Sequence, residues 1–161
     1  MKKSLTILTS LVLSASFSAS AIGDESGDAA TKAAIKARQA QMQLYAFNIG
    51  LLGGMAKGEI EYNADAASKA AANLAALSRL DQSRSWPMGS DNAKMGAETT
   101  AALPAIWAEG SDIMSKGMAL GEAAAAMEQA AGGGLDALRG AIGPLGNSCG
   151  GCHKSYRQSD D

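Results

Sequence analysis

Near its C-terminus the chain reads Cys149-Gly150-Gly151-Cys152-His153. These are both cysteines and the only histidine of a 161-residue chain. Residues three and four apart share a helix face, so the two thiols and the imidazole can address one object. Two cysteines separated by two residues and followed directly by histidine form the pattern that attaches haem c. Each thiol meets one vinyl group of a single porphyrin, and the imidazole turns beneath the ring to bind iron. Gly150 and Gly151 leave room for the porphyrin edge, at some cost in helix propensity.

Other chemistries fit less well. A structural zinc site takes four ligands, and this chain offers two thiolates and one imidazole. A carboxylate or a second chain would have to supply the fourth. A redox-active cysteine pair normally opens a helix that follows a strand, whereas this pair lies deep in a helical stripe. A disulfide here would bridge two residues of one helix and close almost no loop entropy. A zinc- or disulfide-stabilised helical bundle without haem remains the alternative of a different class.

The elements that must position these residues read as helices. Alanine, methionine and leucine abound, and β-branched and aromatic residues are few. Ile35, Arg38, Met42, Tyr45, Ile49 and Leu52 advance by threes and fours and share one face of a helix over about 28–57. Gly58 stands where a C-cap is expected. Asn63 is positioned to cap a second helix over about 64–80, with Ala70, Leu74 and Leu77 inward. A long connection follows and carries Trp86 and Pro87. The third helix is expected to begin near Pro104, with Trp107, Met114, Met118 and Met127 facing inward. Gly132-Gly133-Gly134 breaks the chain. A fourth helix then opens near Leu135 with the stripe Leu135, Leu138, Ile142, Leu145, Cys149, Cys152 and Tyr156. Pro144 lies inside it and removes a hydrogen bond or bends it. The expected fold is all-α, an antiparallel four-helix bundle with the haem motif near the C-terminus of its last helix.

The N-terminus reads as an export signal. Lys2 and Lys3 precede a short apolar run from Leu5 to Phe17, and Ala19-Ser20-Ala21 matches a signal-peptidase site. The run is too short for a stable bilayer span. A retained anchor is the alternative. Residues 1–21 are expected to be cleaved, leaving residues 22–161 as one domain delivered to a bacterial periplasm. Without Lys2 and Lys3, 12 basic residues face 16 acidic ones, a net charge of about −4. That balance argues against nucleic acid or an anionic membrane as partner.

Haem on the last helix of a bundle makes the chain resemble cytochrome c′ and its low-spin relatives, the class II c-type cytochromes. The resemblance covers residues 22–161. It rests on Arg38-x-x-x-Met42, Gly50-Leu51-Leu52-Gly53, Trp86-Pro87, Leu103-Pro104-Ala105-Ile106-Trp107 and the motif from Cys149 to Arg157. It implies one covalent haem c, thioethers at Cys149 and Cys152, and His153 as axial iron ligand. Arg157 would lie near the proximal face. Arg38 and Gln39 match positions that touch the haem propionates; a solvated surface charge is the alternative for Arg38. Thr100 is a further candidate haem neighbour, and Trp86 and Trp107 are expected to pack rather than react.

Met42 matches the position that faces the iron from the other side. In cytochrome c′ this residue covers the iron without binding it, and nitric oxide or carbon monoxide can enter. In the low-spin relatives a methionine there becomes the sixth ligand, suited to electron transfer. The whole-chain resemblance leans to the five-coordinate form. The implied function is electron transfer, gas binding, or both, with redox proteins as partners and a homodimer formed through the first two helices. No second imidazole is present to move protons, which argues against dedicated enzymatic catalysis.

Overall fold

The computed structural model describes residues 22–159, so the expected signal segment lies outside the described residues. The helices are α1 (Ile22–Lys57), α2 (Ala64–Ser78), the one-turn α3 (Asn92–Met95), α4 (Ile113–Ala130) and α5 (Leu135–Tyr156). α1, α2, α4 and α5 form the expected bundle, each packed on two others in a square. Side-chain bonds fix their directions. Gln41 donates to the Leu77 carbonyl at 3.0 Å and Asn73 to Asn48 Oδ1 at 3.1 Å, so α1 and α2 are antiparallel. Arg139 Nε donates to the Ala56 carbonyl at 2.8 Å, setting the start of α5 against the end of α1.

The helix ends follow local chemistry. Gly58 adopts φ +79°, and the Gly54 carbonyl accepts from the Glu59 and Ile60 N–H groups at 2.9 and 3.1 Å. This is a left-handed C-terminal cap, which a β-carbon would strain. Asn63 Oδ1 accepts from the Ala66 N–H at 2.9 Å and caps α2, as its sequence position predicts.

α2 gives the core four alanines, Ala67, Ala70, Ala71 and Ala75, together with Leu74. Their small size lets α1 and α4 approach, while Leu52, Met55, Met127, Leu138 and Leu145 supply bulk. The sequence reading placed Ala70, Leu74 and Leu77 inward on α2, and Ala70 and Leu74 are buried there. Leu44, Phe47 and Leu80 point outward, at 50%, 77% and 56% exposure.

The third long helix also departs from expectation. Pro104–Trp107 forms a 3-10 turn, Ala108 is extended, and Gly110 reverses the chain at φ +79°. α4 therefore begins only at Ile113. Met127 is fully buried as expected, but Met114 and Met118 are 77% and 62% exposed. Nine residues at about 100° each put Met118 half a turn away from Met127, so one face cannot bury both. Ile113, Leu120, Ala123 and Ala124 form the inward side.

α5 behaves as read. Leu138, Leu145 and Tyr156 are buried, and Leu135, Ile142, Cys149 and Cys152 are half-buried on the same face. The helix runs through Pro144, whose ring is exposed.

Candidate haem-binding site

Three segments meet at one end of the bundle: the first half of α1, the connection from Arg79 to Asp112, and the last turns of α5. The chain after α5 pairs with the connection. Leu103 N–H donates to the Tyr156 carbonyl at 3.0 Å and Gln158 N–H to the Ala101 carbonyl at 2.7 Å. Ala102 and Arg157 form an isolated antiparallel bridge. The Tyr156 hydroxyl accepts from the Asp112 N–H at 2.9 Å and donates to its carboxylate. Around Ala102, Ile106 and Tyr156 pack Trp86, Trp107, Ile113 and Cys152. The second motif cysteine thus sits in an apolar wall built by the connection.

The motif residues lie together on the last turns of α5. Both thiols are free and half-buried. Burial raises the pKa of each; for Cys149 nearby hydrogen bonds oppose the rise, and for Cys152 the charge of Lys116 does. Raised thiol pKa values disfavour a reactive redox pair, which needs depressed ones. Among the described residues no three His, Cys, Asp or Glu side chains gather as for a metal ion. His153 is shifted the other way. Burial first, then the charge of Arg157, lowers its pKa, which favours the neutral imidazole that binds a metal. A β-carbon at Gly150 or Gly151 would meet nothing within 4 Å, so this side of the motif is open.

Arg38 is 3% exposed, so it is not a solvated charge. Its Nη1 donates to Ser90 Oγ at 2.6 Å and to the Ser85 carbonyl at 3.3 Å. Its Nη2 donates to the Ser90 carbonyl and, at 2.8 Å, to Thr100 Oγ1. The Trp86 ring lies 4.6 Å beneath the guanidinium. Trp86 in turn accepts from Trp107 Nε1 through its carbonyl at 3.2 Å. Gln39 donates to the Thr99 carbonyl at 2.9 Å. Arg38 and Gln39, the pair that the resemblance implies, thus both hold the Thr99–Thr100 segment. The sequence reading missed Ser85 and Ser90, whose backbone and hydroxyl oxygens are invisible as a motif. Among the described residues no carboxylate forms an ion pair with Arg38. Asp91 raises its pKa by charge, but burial outweighs this and the value is lowered. A buried cation surrounded by neutral acceptors suits a further anionic group.

Met42 stands at the margin of the buried α1 stripe at 36% exposure. Arg157 caps α5, its N–H bonded to the His153 carbonyl at 3.0 Å, and its side chain is exposed.

Haem c fits these residues: two free thiols and an imidazole on one helix, an open edge at the glycines, and a buried guanidinium that a propionate would complement. The family model described as Cytochrome C' matches residues 33–157. The chain belongs to the cytochrome c′ family. It is 47% identical over 126 residues to a cytochrome c-554 of Cereibacter sphaeroides, covering 78% of this chain and 81% of that one. It is 40% identical over 125 residues to a cytochrome c′ of the same organism, covering 76% and 81%. The solved cytochrome c′ from Rhodobacter Spheriodes superposes with TM-score 0.76 at 37% identity, over 80% of this chain and 98% of that one. Like other members of the cytochrome c′ family, the chain is a monohaem c-type cytochrome with one covalent haem c.

Proposed function

We propose that this chain is an exported, periplasmic electron carrier that also binds small gases. Haem c, when bound, supplies an iron that cycles between ferrous and ferric and takes up small diatomic ligands. Cys149 and Cys152 anchor it through thioethers, and His153 holds the iron by one ring nitrogen. Arg38 and Gln39 orient the propionate edge, with Thr100 holding Arg38 in place. Arg157 sets a cation one turn beyond the axial histidine. The single observation that carries this reading is the convergence of the motif on α5 with the buried guanidinium of Arg38, which forms no ion pair with a carboxylate among the described residues.

On this reading Met42 would cover the bound iron without ligating it, leaving room for a small gas. A related cytochrome c′ from Alcaligenes xylosoxidans, 30% identical, has been solved as a carbon monoxide-bound variant. The second reading makes the Met42 thioether the sixth ligand. The observation in its favour is that the Met42 side chain, at 36% exposure, is not locked into the core. Oxidised and reduced spectra of the purified holoprotein, followed by carbon monoxide, separate the two. A five-coordinate iron gives broad reduced bands and takes up the gas; a His/Met iron gives sharp bands and resists it. Absence of covalent haem from protein made with its maturation machinery would overturn both.

A homodimer formed through α1 and α2 is part of the same proposal. Leu44 and Leu80 flank an apolar groove with Leu77, Ala76, Asn48 and Asn73, and Phe47, three residues after Leu44 on α1, is 77% exposed. A cytochrome c′ with 25% identity is described by its ligand-controlled dimer dissociation. Among the described residues no helix is long and apolar enough to cross a membrane.

A further inference from the structure

Among the described residues, one buried side-chain polar atom meets no hydrogen-bond partner: the Tyr45 hydroxyl. Tyr45 is 7% exposed and lies on α1, three residues beyond Met42, so the two adjoin on one side of the helix. The Gln41 amide lies near enough to lower the phenol's pKa, but it donates to the Leu77 carbonyl at 3.0 Å and forms no hydrogen bond of good geometry with the hydroxyl. The ring belongs to the same buried cluster as Leu138 and Leu145 of α5. Burial raises the phenol's pKa, Gln41 offsets part of the rise, and the Cys149 thiol adds to it. The hydroxyl is therefore a protonated donor within electrostatic reach of the first motif cysteine. A buried hydroxyl with no partner is destabilising, and phenylalanine would fill the same space without that penalty. Such a group marks a place where another polar atom belongs.

We propose that Tyr45 is the distal hydrogen-bond donor of this cytochrome, directed at the atom that occupies the sixth position of the iron, opposite His153. This rests on the open-site reading above. The donor stabilises a diatomic ligand that carries partial negative charge at its outer atom. It makes the site discriminate among gases by polarity, where Met42 alone discriminates by size.

Carbon monoxide on the ferrous holoprotein is the probe. In the wild type its stretching band is expected to shift in deuterium oxide. Tyr45→Phe, at matched haem content, raises the band, abolishes the isotope shift and speeds carbon monoxide dissociation about threefold to tenfold, the effect of one neutral hydrogen bond. An unchanged band and an unchanged dissociation rate in Tyr45→Phe would overturn the proposal. If the wild type takes up no carbon monoxide, the open-site reading fails by itself. The same comparison in a Met42→Ala background, where the sixth position is free, then decides the role of Tyr45.

Discussion

Arg38 Nη2 donates to Thr100 Oγ1 at 2.8 Å, across a sequence separation of 62 residues. Thr100 Oγ1 also accepts from the Ala102 N–H at 3.2 Å, and Ala102 pairs with Arg157. One hydroxyl therefore links α1, a turn before Met42, to the residue that ends the haem-bearing helix. The long connection is held from both sides of the site.

Replacing the clamp tests how much it matters. Arg38→Met removes a buried charged donor and leaves Ser90 and Thr100 short of a partner. A loss of about 3 kcal/mol is expected in denaturant unfolding of the holoprotein. Arg38→Lys should recover only a minor part, because one ammonium cannot span the acceptors of a planar fork. Full recovery by lysine would show that charge alone, not the fork geometry, holds the connection.

The contact between Tyr156 and Asp112 predicts an acid response. The Tyr156 hydrogen bond above all, with Lys116 adding to it, holds the Asp112 carboxyl below its ordinary value against the opposing effect of burial. The folded value lies below the unfolded one, so this contact stabilises the protein above roughly pH 4 and is lost as pH falls through the folded value. Thermal melts of the wild type should weaken as pH drops below that point. Tyr156→Phe should show a shallower acid slope; identical slopes would remove Asp112 from the account.

The alanine-lined interior predicts sensitivity to size in both directions. Leu74 is 1% exposed, and Leu74→Ala should cost about 3 kcal/mol through lost burial and a cavity. Ala71→Leu at a fully buried neighbour should cost about 2 kcal/mol by overpacking. Calorimetry on the two variants checks both, and a neutral Ala71→Leu would mean that the helices can separate to make room.

The outward face of α1 predicts the assembly. Phe47→Asp puts a charge on an exposed ring position beside the apolar groove. If the proposed dimer forms, sedimentation should report a dimer for the wild type and a monomer for the variant, with the haem spectrum unaltered. A variant that still dimerises would move the interface elsewhere.

The sequence by itself determined the cofactor chemistry and the fold class. Cys149, Cys152 and His153 are adjacent in the chain, so helical spacing alone places them, and the α5 stripe needs no partner to be read. Asn63 and Gly58 were legible for the same reason, since caps are local. Tertiary structure decided the rest. The start of α4 depends on how Pro104–Trp107 packs against Tyr156, a contact across about fifty residues that no window of sequence contains. The outward turn of Met114 and Met118 follows from that shifted start and from helical phase. Arg38 could be singled out by its place on an apolar stripe, but its acceptors are mostly backbone carbonyls and small hydroxyls that carry no pattern. The lone Tyr45 hydroxyl is the clearest case: a tyrosine on an inward stripe reads as core, and only the packed neighbours show that its oxygen has no partner among them.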